Sequence, residues 1–154
     1  LLLGKALGGG MPLGAFISDK SLMDNFTHDP VLGHITTFGG HPVCCAAGHA
    51  AFKVLLKKNI IGKVSRKEKL FIKLLKHPAI KEVRRAGLLI ALELADETMN
   101  KNIIAYCIAH GVLTDWFLFA PHCMRIAPPL NISPKEIKAA CKIILDALDE
   151  YYYS

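Results

Sequence analysis

A lysine stands between a short apolar run and a dense glycine cluster near the start of the chain, in Leu3-Gly4-Lys5-Ala6-Leu7-Gly8-Gly9-Gly10-Met11-Pro12-Leu13-Gly14-Ala15. Glycines allow positive φ and let a backbone approach a ligand closely. A lysine beside them can pair with a phosphate or act as an amine nucleophile toward a carbonyl. The phosphate-loop order is absent, because the lysine precedes the glycines and no Gly-Lys-Ser/Thr occurs. Taken alone, such a lysine is most often a solvated loop residue. A second segment, His34-Ile35-Thr36-Thr37-Phe38-Gly39-Gly40-His41-Pro42, sets two hydroxyls and a Gly-Gly turn just ahead of a helix start. Hydroxyls and free amides there suit an anion, phosphate in particular. The plainer alternative is that Thr36 or Thr37 caps or turns the chain. A third candidate is Arg125, embedded in the apolar run Met124-Arg125-Ile126-Ala127 and followed by Pro128-Pro129. It needs a carboxylate or phosphate partner, and a structural ion pair or a bound ligand would each supply one. His41, Cys45 and His49 would share one helix face, but they lack a fourth ligand and the tight spacing of zinc sites. Small residues packing a helix interface explain them better, and no metal is expected.

The elements that must position these residues belong to a chain of 154 residues, enough for a real core. Hydrophobic residues make up 52%, charged residues 21%, and mean hydropathy is +0.32. That excludes a disordered chain, and it implies surface covered by more chain or another subunit. Lys and Arg number 19 against 13 acids, but these charges are scattered, so nucleic acid is not expected as a partner. The longest stretch without Asp, Glu, Lys or Arg, Pro30 to Phe52, carries Gly-Gly, two prolines and three histidines, so no membrane span is expected. Leu1-Leu2-Leu3 is too short an apolar run for a signal peptide, and Lys5 interrupts it. Five cysteines with no CxxC spacing point to a reducing, cytoplasmic setting. The chain starts without methionine, which fits a piece of something longer.

Residues 1–40 are glycine-rich and loop-like, with no sheet or domain of their own expected. Pro42 suits a first helical position, and Ala47, Ala51, Val54 and Leu55 continue at helical spacing. A second helix is predicted from about Gly62 to Lys76, stopping before Pro78. Val83 to Leu94 reads as a strand or hairpin arm, with Gly87 a bulge or a close-approach site. Glu97 to His110 reads as a helix ended by Gly111. Val112–Phe119 and Cys123–Ala127 read as strands around an Ala120-Pro121-His122 turn. Ser133-Pro134-Lys135-Glu136 is a capping box with proline at the first helical position. The pattern gives residues 57–154 as an α+β unit with helices on one small sheet.

Four segments in this order and spacing resemble one family: Lys5 to Ala15, Thr36-Thr37-Phe38-Gly39-Gly40-His41-Pro42, Arg84-Arg85-Ala86-Gly87-Leu88-Leu89, and Arg125-Ile126-Ala127-Pro128-Pro129-Leu130. It is the class III pyridoxal-phosphate-dependent aminotransferases, the group of ornithine, acetylornithine and 4-aminobutyrate aminotransferases. The resemblance implies an α/β fold, the C-terminal part of a fold-type I transferase. Residues 1–56 would close the large cofactor domain, and residues 57–154 would be the small domain. It implies pyridoxal 5′-phosphate as cofactor, Lys5 as its Schiff-base lysine, and Thr37, with Thr36 beside it, as phosphate ligand. It further implies a homodimer in which Thr37 reaches the neighbouring site, and Arg125 as anchor of a substrate carboxylate. The partners would then be a small amino donor and a 2-oxo acid. The sequence departs from the family at His41, where Asn is common, and at Ala86, where Gly is common. Family members run to about four hundred residues, so the aspartate facing the pyridine nitrogen, the stacking aromatic and the main phosphate loop would lie upstream. The expected activity is transfer of an amino group from an ω-amino acid or amine to 2-oxoglutarate by a longer chain, these 154 residues alone being inactive. The alternatives are a non-catalytic fragment, or a racemase or aminomutase using the same cofactor.

Overall fold

The structure, a computed structural model, describes residues 1–29, 35–57 and 59–153. Gly33 and His34, which precede the threonine pair, lie outside the described residues. The chain divides into two compact units, Leu1–Asn59 and Ile60–Ser154.

In the first unit a short antiparallel ladder joins β1 (Leu2–Leu3) to β2 (Ala15–Phe16). The expectation that residues 1–40 hold no sheet is corrected by this pair. It forms because the glycine-rich turn folds the chain back on itself, so that Leu2 lies opposite Phe16. The turn contains a 3-10 segment, Lys5–Gly8, closed by Gly9 at φ 59°. A four-residue helix α1 (Lys20–Met23) and a 3-10 turn (Asp24–Thr27) follow. The long helix α2 spans Pro42–Lys57, beginning at proline as expected.

Glycine fixes how the Lys5 turn meets α2. A Cβ at Gly9 would lie 2.7 Å from the Ala47 carbonyl oxygen, and one at Gly48 would lie 2.8 Å from the Leu7 carbonyl oxygen and 2.7 Å from Leu13 Cδ2. Gly8 and Gly48 are buried, and Ala47, Ala51 and Leu55 are partly covered on the same helix face. Val54, expected in that stripe, is exposed. The turn and the helix meet nearly backbone to backbone, and no side chain would fit between them.

In the second unit a 3-10 turn (Ile61–Lys63) leads into α3 (Val64–Leu74). A hairpin follows, β3 (Glu82–Ala86) and β4 (Leu89–Glu93), joined by a two-residue loop. Gly87 takes the first loop position at φ 64°, as primed hairpin turns require, and a Cβ there would sit 3.0 Å from Val64 Cγ1. The close-approach reading of Gly87 therefore holds, and the bulge reading does not. Helix α4 (Glu97–Ala109) is capped by Asp96, whose side chain accepts from the Met99 N–H at 2.8 Å. Two strands, β5 (Asp115–Phe117) and β6 (Ala120–Ile126), form the next hairpin, and α5 (Pro134–Tyr152) ends the unit. The sheet is antiparallel in the order β3-β4-β6-β5.

The turn predicted at Ala120-Pro121-His122 lies instead at Leu118–Phe119. Proline is tolerated in β6 because the register shifts there: Phe117 pairs with Ala120, while Trp116 pairs with Met124. Pro121 has no partner in either ladder, so its missing N–H costs nothing there, while Cys123 stays paired with Glu93 in β4.

Alternation along the strands gives the sheet two unlike faces. Ile90, Leu92, Met124 and Ile126 point into a core shared with Phe71, Ile103, Ile137, Ile144 and Leu148 from the three helices. Each such side chain contributes about 1.5–3 kcal/mol on burial. Cys107 and Cys141 belong to this core, and burial pushes their thiols up to about 11 and about 12. Neither is a nucleophile near neutral pH.

Two outcomes follow from this packing. Gly48→Val is expected to cost the chain about 1–3 kcal/mol through overpacking, while Gly4→Ala, in open space, stays within about 0.5 kcal/mol. Denaturant midpoints of the two variants check the contrast. The second concerns the α5 cap, where Glu136 Oε2 accepts from the Ser133 N–H at 2.7 Å and holds the Glu136 carboxyl below its ordinary range. That stabilisation is present above the ordinary carboxylate range and is lost as pH falls through the lowered value. Glu136→Gln should therefore melt below the parent at neutral pH, the gap in Tm closing as the solution is acidified.

Candidate active site

Lys5 is held in a conformation its residue type avoids. Its φ is 55°, in the left-handed region, and the turn docked on α2 maintains it there. Its side chain is exposed and, among the described residues, has neither a hydrogen-bond nor an ion-pair partner. The chain therefore presents an amine that no described residue engages.

Thr36 and Thr37 stand in two consecutive turns that lead into α2. The Gly39 N–H donates to the Thr36 carbonyl at 3.1 Å, and the His41 N–H to the Phe38 carbonyl at 3.2 Å. Gly40 sits at φ 69° between them and the helix. Thr36 thus turns the chain through its backbone, as the plainer reading had it. Both hydroxyls are left without a hydrogen-bond partner among the described residues, so neither caps the helix. Lys5, Thr36 and Thr37 all lie in the first unit.

Cys45 and His49 are exposed on α2 and His41 is exposed just ahead of it, so they do not pack an interface within this unit as expected. Nor do they form a metal site. Among the described residues the group with that potential is Glu93, His122 and Cys123, whose ligand atoms lie within 4.8 Å of one another. A guanidinium already fills the cation's place there, for Arg84 bonds Glu93 and reaches the Cys123 Sγ at 3.1 Å.

Arg125 lies in the second unit, on the sheet face that no helix of this unit covers. Register sets Arg84, Ala91, Arg125 and Asp115 side by side across four strands. With Leu89, Phe117, Leu118, Phe119 and Cys123, the first three of these line an open recess of about 660 Å³. The two guanidiniums differ in how far they are committed. Arg84 bonds both Glu93 and Glu82, and these bonds hold it charged above even its ordinary value while Glu93 is drawn below its own. Arg125 has one carboxylate partner, Asp115. Its side chain lines the recess and, among the described residues, meets no second carboxylate.

Sequence reasoning missed three participants. Asp115 is a lone acid in the apolar run Val112–Phe119, which is the signal that could have found it. Arg84 enters the sequence pattern only as part of the segment Arg84 to Leu89, and the sheet brings Glu82 and Glu93 to it. Asn100 is fully buried on α4, and its Nδ2 donates to the Pro121 carbonyl at 2.7 Å, fixing the irregular start of β6. Its Oδ1 has no hydrogen-bond partner among the described residues.

Comparison with known proteins places the chain in a family. Residues 1–148 match the family described as aminotransferase class III. The chain is 38% identical over 152 residues to ornithine aminotransferase 2 of Staphylococcus aureus, covering 93% of this chain and 35% of the relative. The ornithine aminotransferase of Toxoplasma gondii, crystallised with PLP at partial occupancy, superposes with a TM-score of 0.83 at 29% identity, over 99% of this chain and 37% of that one. The adenosylmethionine-8-amino-7-oxononanoate aminotransferase of Methanocaldococcus jannaschii gives 0.81 at 26% identity, over 97% and 38%. The chain thus spans a little over a third of these proteins, and its α/β fold is that part of the pyridoxal-phosphate aminotransferase fold. Pyridoxal phosphate is the cofactor of this family. By sequence and by fold, the chain belongs to the class III aminotransferases.

Proposed function

We propose that the full-length protein carrying this chain transfers an amino group from an ω-amino acid or amine, of the ornithine or acetylornithine kind, to 2-oxoglutarate, and that these 154 residues alone do not. The observation that carries the reading is Lys5: an unpaired amine in a left-handed backbone, on a turn locked against a long helix. That strain persists because the glycine contacts over-determine it, as strained residues at functional sites do. The residues fit the cofactor. Lys5 offers the amine its carbonyl needs, and Thr36 and Thr37 offer two unengaged hydroxyls before α2 for its phosphate. Once bound, the cofactor supplies an electron sink. Lys5 would then hold and move the proton at the substrate's reacting carbon, and Arg125 would bind and orient the substrate carboxylate.

A homodimer in which Thr37 serves the neighbouring site is part of the same proposal. Exposed apolar side chains in the first unit support it, with Phe38 at 78% exposure beside Thr37, and Val43, Phe52 and Leu56 exposed on α2. All five cysteines are free thiols, which supports a reducing, cytoplasmic setting. None of the described helices is long and apolar enough to cross a membrane.

Lys5→Ala in the full-length enzyme is expected to abolish the yellow absorbance of bound cofactor and at least about 10⁴-fold of turnover, since nucleophile and proton carrier are lost together. Near-normal turnover would overturn the assignment. Arg125→Lys is expected to weaken carboxylate substrates by about 2–4 kcal/mol, because an ammonium cannot reproduce a bidentate fork. Steady-state kinetics with glutamate and 2-oxoglutarate read it directly.

A further inference from the structure

Asp115 stands directly opposite Arg125 in the β5–β6 ladder, on the same face of the sheet. Both of its carboxylate oxygens are engaged. Oδ1 accepts from the Trp116 backbone N–H at 2.8 Å, and Oδ2 accepts from Arg125 Nη2. The backbone thus orients the carboxylate, and the carboxylate orients the guanidinium. On the other side, the Thr114 hydroxyl donates to the Arg125 carbonyl at 2.8 Å, so main chain and side chain of the arginine are held by two successive residues, Thr114 and Asp115.

We propose that Asp115 is the positioning residue for Arg125: it locks the guanidinium with its spare donors facing the recess, where the carboxylate of an amino or 2-oxo acid binds. The proposal rests on the reading of Arg125 as carboxylate anchor. Stability does not account for the pair, because both side chains are over 40% exposed and such ion pairs contribute little. Binding does. A guanidinium fixed in advance spends no rotamer entropy when its ligand arrives. The contrast with Arg84 sharpens the point. Arg84 faces two carboxylates, so its charge is over-compensated and unavailable to an anion. Arg125 faces one, on one edge only. A single fixed carboxylate orients the arginine and tempers its charge, so that product acid can leave.

The test uses the full-length, cofactor-loaded enzyme with glutamate, with 2-oxoglutarate, and with a simple primary amine lacking a carboxylate. Asp115→Ala should raise KM for the two acids about tenfold, with kcat and the KM of the amine within about twofold. Asp115→Asn should restore acid KM to within about threefold of the parent, because an amide oxygen still accepts from arginine. A role confined to folding would instead lower kcat for every substrate, or shift amine and acid alike, and that result overturns the proposal. So does an Asp115→Ala enzyme with unchanged acid KM. Thermal melts accompany the kinetics, and Asp115→Ser replaces the alanine variant if that one does not fold. Arg125→Ala separates the two claims. If it leaves acid KM unchanged, the anchor itself is wrong; if it raises acid KM while Asp115→Ala does not, only the positioning role falls.

Discussion

A β-strand presents alternate residues to opposite faces, and the second unit depends on keeping those two faces different. One face carries Ile90, Leu92, Met124 and Ile126 into the core beneath the helices. The other carries Arg84, Ala91, Arg125 and Asp115 in a row. The same register that closes the core therefore aligns the charges, and a slip of one residue in β6 would bury Arg125 and expose Met124. Asn100 guards that register from the helix side by holding the Pro121 carbonyl, at the one place where the ladder is irregular.

Charge on the open face is organised by count and not by type. Arginine is used twice, but the number of carboxylates each one meets gives the two different work. Two carboxylates and a thiol make Arg84 a closed cluster that also occupies the potential metal position of Glu93, His122 and Cys123. Arg125 meets one carboxylate and lines the recess beside apolar walls from Phe117 and Leu118.

In the first unit the controlling contact has almost no chemistry in it. Gly9 and Gly48 let a turn and a helix approach until a single added carbon would collide with a carbonyl oxygen. What that closeness accomplishes is the fixing of Lys5 at positive φ, one turn away from the contact. The cluster of glycines seemed, on sequence, to make room for a ligand. Two of its contacts instead make room for α2, and the ligand-facing consequence is indirect.

The sequence by itself determined whatever depends on neighbours along the chain. The α5 start is legible in Ser133-Pro134-Lys135-Glu136 because a capping box closes within one turn. The same holds for α2 at Pro42, and for the extended chain read across Val83 to Leu94. The order of the four motifs was enough to indicate the family, since it needs no geometry. Tertiary structure alone decided the rest. The β5–β6 turn fell at Leu118–Phe119, away from the proline that marks turns locally, because a register shift made room for Pro121. Gly87 became a hairpin turn only once Leu89 found Ala86 across the ladder. Asp115 met Arg125, ten residues away, through a pairing that the same register shift sets. Arg84 lost its free charge to Glu93, which the hairpin brought beside it. Local signals report bonds that close within a few residues, whereas the partner of a charge on a sheet is chosen by strand register, which no short segment contains.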